Sequence, residues 1–171
     1  MEDRKLVVVG VDGSEDGLRA VKYGASFAAE TNGEVLLVHA VDDAMLAGAW
    51  GVVYDPEVLQ NAGANANEAA AAKAREIGLP GDRIRTEVVL GSPGGVLGRL
   101  SEVADLIVVG RRSVSGLERM FVGSTSVSVV ASSRCPVLVI SAAAHPQDVG
   151  NKKLIGVGLN TSRVNHSTLA A

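Results

Sequence analysis

Aromatic side chains make up only 3% of this chain, which leaves no platform on which single-stranded bases could stack. Cysteine is scarcer still. Cys135 stands alone, which excludes an internal disulfide and a thiolate zinc cage and suits a reducing compartment. It lies between "SSR" and Pro136 at the head of an apolar run, with no base signalled nearby. It is therefore expected to be a small buried filler rather than a nucleophile. The net charge is only −3, too weak a field to gather nucleic acid, so no nucleic-acid partner is expected. Long hydrophobic runs are missing too: no stretch approaches the ~18 apolar residues of a membrane span. The opening "MEDRKLVVVGVDGS" has a short strand-like run rather than the apolar core of a signal peptide. The expectation is a cytoplasmic protein without a membrane partner.

What is present is a globular composition, 47% hydrophobic over 171 residues, enough for one domain. "KLVVVGV" (Lys5–Val11) is short, β-branched and almost wholly apolar, the pattern of a strand covered on both faces in a parallel sheet. Asp12 and Gly13 turn the chain, and Ser14 is a helix N-cap followed by acids, which the helix dipole favours there. Leu18, Val21, Ala25 and Ala28 share one face of that helix, which should stop near Asn32–Gly33. "EVLLVHAV" (Glu34–Val41) is a second buried strand, with His39 expected as a packed core histidine. A loop of low periodicity follows, then Asp55–Pro56 opens an alanine-rich helix running to Gly78. Arg83–Leu90 begins with polar alternation and reads as a strand nearer a sheet edge. Ser92–Pro93 opens a helix with Val96, Leu97, Leu100 and Val103 facing the core. "DLIVVG", "STSVSVVASS" and "PVLVI" complete the series as strand, helix and strand.

Strand and helix in alternation predict an α/β fold, an open and mostly parallel sheet with right-handed crossovers. Ligands of such sheets bind outside the carboxyl ends of strands where the strand order reverses. Both "GVDGS" and "GRRSVSGLERMFVGSTS" (Gly110–Ser126) lie at such ends. The second is rich in glycine, hydroxyls and arginine. Glycines let backbone N–H groups approach an anion, and the helix opened by Gly123-Ser124-Thr125-Ser126 adds unpaired donors. Turns and caps alone would also use these residues, so the spacing has to decide. No P-loop run and no nucleophile elbow occur. His145 and His166 lie in the tail without metal-ligand spacing.

The register Gly110, two residues, Ser113, nine residues, Gly123, Ser124 resembles the nucleotide-binding motif of the universal stress protein family. There the usual pattern is glycine, two residues, glycine, nine residues, glycine, then serine or threonine. "VVVGVDGS", "LLVHAV" and "CPVLVI" match the family in order and spacing, and the resemblance covers about residues 4–141. It implies a Rossmann-like, five-stranded sheet in the order 3-2-1-4-5 with helices on both faces, and ATP as ligand, with Mg2+. Gly10 and Asp12 would lie beside the ribose, with Asp12 near the metal, and the backbone of Ala40 would read the adenine edge. Gly110, Arg111, Arg112 and Ser113 would follow the ribose and phosphates, with Gly116 inside the same loop. Gly123, Ser124, Thr125 and Ser126 would cradle the phosphates. Ser113 departs from the pattern, since a glycine usually stands there, and this bears on affinity rather than fold. The resemblance leaves three functions open: a nucleotide-binding regulatory protein of the stress response, a slow ATPase or self-phosphorylating protein using hydroxyls such as Ser124 or Ser126, and a cAMP binder. It also implies a homodimer through the last strand, Pro136–Ile140, an apolar edge that association can cover.

The domain is expected over residues 1–142, followed by a linker and tail over 143–171. In that tail "KLIGVGLNTS" (Lys153–Ser162) repeats five of the ten residues of "KLVVVGVDGS" (Lys5–Ser14), and nine residues follow. Two readings stand: the first strand of a truncated second repeat, or chance similarity. Because "LIGVGL" is apolar and a lone strand needs partners for its backbone, it is expected to dock on a sheet edge, its own or a partner's. Asn160 and Thr161 replace the aspartate and glycine of the first copy, so no nucleotide is expected there.

Overall fold

A run such as Val7-Val8-Val9, with no polar residue to face water, needs cover above and below, and all three side chains are 0% exposed. The computed structural model describes residues 4–42, 55–111 and 123–140, together with the backbone of Val157–Gly158. In chain order the elements are β1 (Leu6–Gly10), α1 (Glu15–Glu30), β2 (Glu34–Val41), α2 (Pro56–Glu76), β3 (Ile84–Leu90), α3 (Pro93–Leu100), β4 (Leu106–Gly110), α4 (Ser124–Ser132), β5 (Val137–Ile140) and β6 (Val157–Gly158). They form one sheet in the order β3-β2-β1-β4-β5-β6. The first five strands run parallel in the expected 3-2-1-4-5 order. A sixth, β6, pairs antiparallel with β5.

The two-residue period of a strand divides the core. Val7, Val9, Val35 and Leu37 pack with α1 and α2 on one face, whereas Val8, Leu36, Val38 and Ile107 pack with α3 and α4 on the other. Among the described residues no helix is long and apolar enough to cross a membrane.

The helix ends follow their caps. The Ser14 hydroxyl accepts from Gly17 N at 3.0 Å and opens α1. That helix closes at Asn32, whose φ of 54° is the left-handed turn asparagine tolerates, and Gly33 N donates to Ala28 O at 2.7 Å. Asp55 accepts from Glu57 N at 2.9 Å, with Pro56 in the first turn of α2. The α2 helix is held to the edge strand by buried Asn67, whose Nδ2 donates to Glu87 O at 2.8 Å. β3 is an edge, as its polar alternation predicts, and Arg85 pairs there with Glu34 of β2.

Three side chains depart from expectation. Val103 is 69% exposed rather than core-facing. α3 stops at Leu100, and the chain tightens, with Glu102 N bonding Arg99 O and Val103 N bonding Leu100 O. These three-residue steps rotate Val103 off the helical face. Leu18 is half-buried, and the neighbouring Ala20 takes the fully enclosed position. Cys135 is also half-buried, packed against the α3–α4 face rather than enclosed.

Candidate functional site

The order reversal lies between β1 and β4, because β1 leads away to β2 on one side and the chain returns to β4 on the other. At the carboxyl ends of these strands a cavity of about 590 Å³ opens, within the range of small-molecule sites. Its floor is Gly10, Val11, Val38, Val109 and Gly110, and the end of β2 (His39, Ala40, Val41) forms one wall. The first turn of α4, Gly123 to Ser126, with Ser128, also lines the cavity. Ser92, Pro93 and Gly94 at the start of α3, with Leu97, line it as well. Leu59 and Ala62 of α2 and Asp42 after β2 are further lining residues.

Eight of the sequence candidates line this one cavity: Gly10, Asp12, Ala40, Gly110, Gly123, Ser124, Thr125 and Ser126. Arg111 stands just outside the lining, its backbone N–H donating to Ile140 O at 2.6 Å. Arg112, Ser113 and Gly116 lie outside the described residues.

Three helices begin at this rim, and they differ in how their first turns are satisfied. α1 is capped: Ser14 N and Ser14 Oγ both donate to Asp12 Oδ1, at 3.0 and 2.6 Å, and Ser14 Oγ accepts from Gly17 N. This closed chain occupies one oxygen of Asp12. α3 and α4 have N-caps, Ser92 and Gly123, that make no side-chain capping bond. Two first turns without side-chain caps, each carrying a helix dipole's positive end, therefore face the cavity. Ser126 is 1% exposed, its hydroxyl 3.5 Å from Gly110 O, which ties the α4 turn to the end of β4.

Gly110 has a packing role independent of any ligand. A Cβ there would lie 2.5 Å from the carbonyl carbon of Asp16 and 2.7 Å from Gly17 N, both backbone atoms of α1. The glycine lets β4 end against the first turn of α1. That turn is further held by buried Asp16, which pairs with Arg19.

Sequence reasoning missed several lining residues. His39 is half-buried rather than a core residue. Its ring packs where a Cβ on Gly63 would come within 2.7 Å of Cδ2, its Nδ1 is buried without a hydrogen-bond partner among the described residues, and the side chain also borders the cavity. Asp42, Ser92, Pro93 and Gly94 were missed as well. The signal for them was present, since each follows the carboxyl end of a strand, the same rule that singled out "GVDGS". The described lining carries two carboxylates, Asp12 and Asp42, and no lysine or arginine. No cluster of three or more metal-ligating side chains occurs among the described residues.

Comparison with known proteins agrees with this architecture. The model of the Universal stress protein family matches residues 4–141. A universal stress protein of Methanocaldococcus jannaschii is 33% identical over 143 residues, covering 80% of this chain and 81% of that protein. A Mycobacterium tuberculosis universal stress protein is 31% identical over 163 residues, covering 88% of this chain. The match spans 53% of that longer relative, so the chain corresponds to about half its length. Among solved structures, a universal stress protein in complex with cAMP superposes with a TM-score of 0.60 at 27% identity, covering 81% of this chain and 97% of the other. With a family match over most of its length and the fold and switch-point cavity described above, this chain is a member of the universal stress protein family.

Proposed function

We propose that the chain is an ATP-binding regulatory protein of the stress response, acting in the cytoplasm and holding the nucleotide in the switch-point cavity. One observation carries this reading: two helix N-termini without side-chain caps, α3 and α4, face the same cavity, one of them at the end of the glycine-spaced segment. Backbone donors of Ser124 to Ser126 and the hydroxyls of Ser124 and Thr125 would bind phosphate oxygens. The apolar end of β2, with the backbone of Ala40, would receive the base. Arg111, Arg112, Ser113 and Gly116 would complete the phosphate side of the loop.

A polyphosphate would enter a described lining with two carboxylates and no cationic side chain. The reading therefore includes Mg2+, held chiefly by the phosphates, with the Asp12 carboxylate as the protein's contribution. When bound, the metal would neutralise phosphate charge. Asp12 would orient it, and the Ser14 bonds would keep the Asp12 carboxylate in place. The Ser14 bonds engage Asp12 Oδ1, and the reading is one of binding rather than turnover.

The test is titration of ATP into the protein with and without Mg2+. Gly123→Val with Ser124→Ala should weaken binding by about tenfold to a hundredfold, the cost of losing a charge-assisted phosphate contact. Unchanged affinity in a folded double variant would remove the site. Omitting Mg2+ should weaken ATP more than AMP. Phosphate release or labelling of Ser124 or Ser126 under excess ATP would instead favour the slow ATPase or self-phosphorylating reading.

A second ligand, cAMP, is favoured by one observation: the 27%-identical solved relative is a cAMP complex. Competition between ATP and cAMP for the purified protein separates the two. The reading also includes a homodimer through Pro136–Ile140, whose apolar strand lies near the sheet's edge. The tail is read as the start of a second repeat, in keeping with the longer mycobacterial relative.

A further inference from the structure

The inner side of β5 is filled by β4, Ile107 to Gly110 opposite Val137 to Ile140. On its outer side, among the described residues, Val137 and Leu138 have a strand partner: β6 places Gly158 opposite Val137 and Val157 opposite Leu138. This is the one antiparallel pairing among the described strands. An apolar strand with free backbone groups accepts further strands, and here the chain's own tail has taken the place.

The sequence says why the tail forms a strand and why it is a weak one. In the repeated decapeptide, Val157 and Gly158 correspond to Val9 and Gly10 of β1, the strand at the centre of the sheet. Gly156 stands where β1 has Val8, a residue with 0% exposure. Glycine weakens a strand interior by its backbone entropy and its lack of a packing side chain. A two-residue ladder that itself contains a glycine, Gly158, and follows another, Gly156, opens easily.

We propose that Val157–Gly158 caps the β5 edge within its own chain, and that a second copy of this chain gains that edge only when the cap leaves. The two occupants need the same backbone groups of Val137 and Leu138, so they exclude each other. Two β5 edges brought together around a two-fold axis run antiparallel, which is the direction in which this edge already accepts β6. The tail thereby sets how strongly the protein self-associates. This rests on the reading of Pro136–Ile140 as the dimer strand and is independent of the nucleotide.

Two measurements on the full 171-residue chain test it. In a Cys135→Ser background, Val137→Cys with Gly158→Cys places two thiols at directly opposed positions, within reach of a disulfide. Oxidation at high dilution should give a band of monomer mass on a non-reducing gel. A disulfide joining two chains, or none, would overturn the cap. Second, Val157→Pro with Gly158→Pro removes the cap's backbone donors and should tighten self-association by about tenfold or more in sedimentation equilibrium. The oxidised cysteine variant should associate less than its reduced form. If the monomeric disulfide forms but the proline variant associates no more tightly than the parent, the competition is wrong. If no form associates at any concentration, the dimer-strand reading falls with it. A loss of ATP binding in the Gly123 variant bears on the nucleotide site alone.

Discussion

Gly110 is the residue where local chemistry and packing meet most directly. The sequence marks it as the first glycine of a phosphate loop, yet its contact with α1 requires glycine whether or not a ligand is present. Gly110→Ala forces a Cβ against the Asp16 and Gly17 backbone. It should cost about 1–3 kcal/mol, the usual penalty of overpacking. Thermal unfolding without nucleotide is the measurement, with an expected fall of about 2–4 °C per kcal/mol, and an unchanged melting temperature would show that β4 does not press on α1. Ser113→Gly is predicted to keep or raise ATP affinity, because it restores the usual glycine; a clear loss would make the serine hydroxyl a ligand. At Cys135, burial pushes the thiol above its ordinary value, and the backbone at Ile107 opposes this only in part. Less thiolate therefore forms in the folded protein near pH 8, and disulfide reagents should modify Cys135 more slowly when native than when unfolded. Equal rates would contradict that environment.

At the scale of elements, the helices are placed by small residues as much as by apolar faces. α3 and α4 approach closely enough that a Cβ on Gly94 would lie 2.6 Å from Ser128 Cβ, and one on Gly98 would lie 2.7 Å from Ser132 Oγ. Both helices begin at the cavity, so this contact sets the spacing of their N-termini. Gly94→Ala should destabilise by about 1–3 kcal/mol, and Ser128→Gly in the same chain should recover part of that loss. Additive losses in the double variant would mean that the two residues do not share the contact. The α2 helix depends on its start instead. Asp55→Ala removes the bond to Glu57 N and should cost about 1 kcal/mol, readable by chemical denaturation. Its alanine-rich sequence makes the helix; Asn67 decides where it sits on β3.

Over the whole molecule, stability should fall from the centre of the sheet toward its edges. β1 is bounded by β2 and β4 and buried on both faces, whereas β3 has one neighbouring strand and largely exposed side chains. Hydrogen exchange should therefore be slowest in Leu6–Gly10 and faster in Ile84–Leu90. A peptide covering residues 154–159 should exchange more slowly than a random coil but faster than β1. Exchange at the random-coil rate would show the tail to be undocked.

"VVVG" and "LIVVG" determined by composition alone that they would be doubly covered strands, because no arrangement leaves such runs in water. Ser14, Asp55 and Asn32 likewise determined helix ends through bonds to backbone a few residues away. The glycine and serine spacing in Gly110–Ser126 marked the candidate site for the same reason: it is local chemistry on a single segment. Tertiary structure alone decided what depends on distant partners. Val103 turned outward when α3 ended early. His39 sits half-buried against Gly63 of α2 and borders the cavity, a placement that depends on a helix distant in sequence. Ser92 to Gly94 follow a strand end, a signal present in the sequence, but which strand ends converge on one cavity was set by the packing of α3 against α4. The tail could be read as a strand from its echo of β1, but not which edge it would find. An edge becomes available only once the other strands have taken their order; that order left the outer sides of β3 and β5, and the tail pairs with β5.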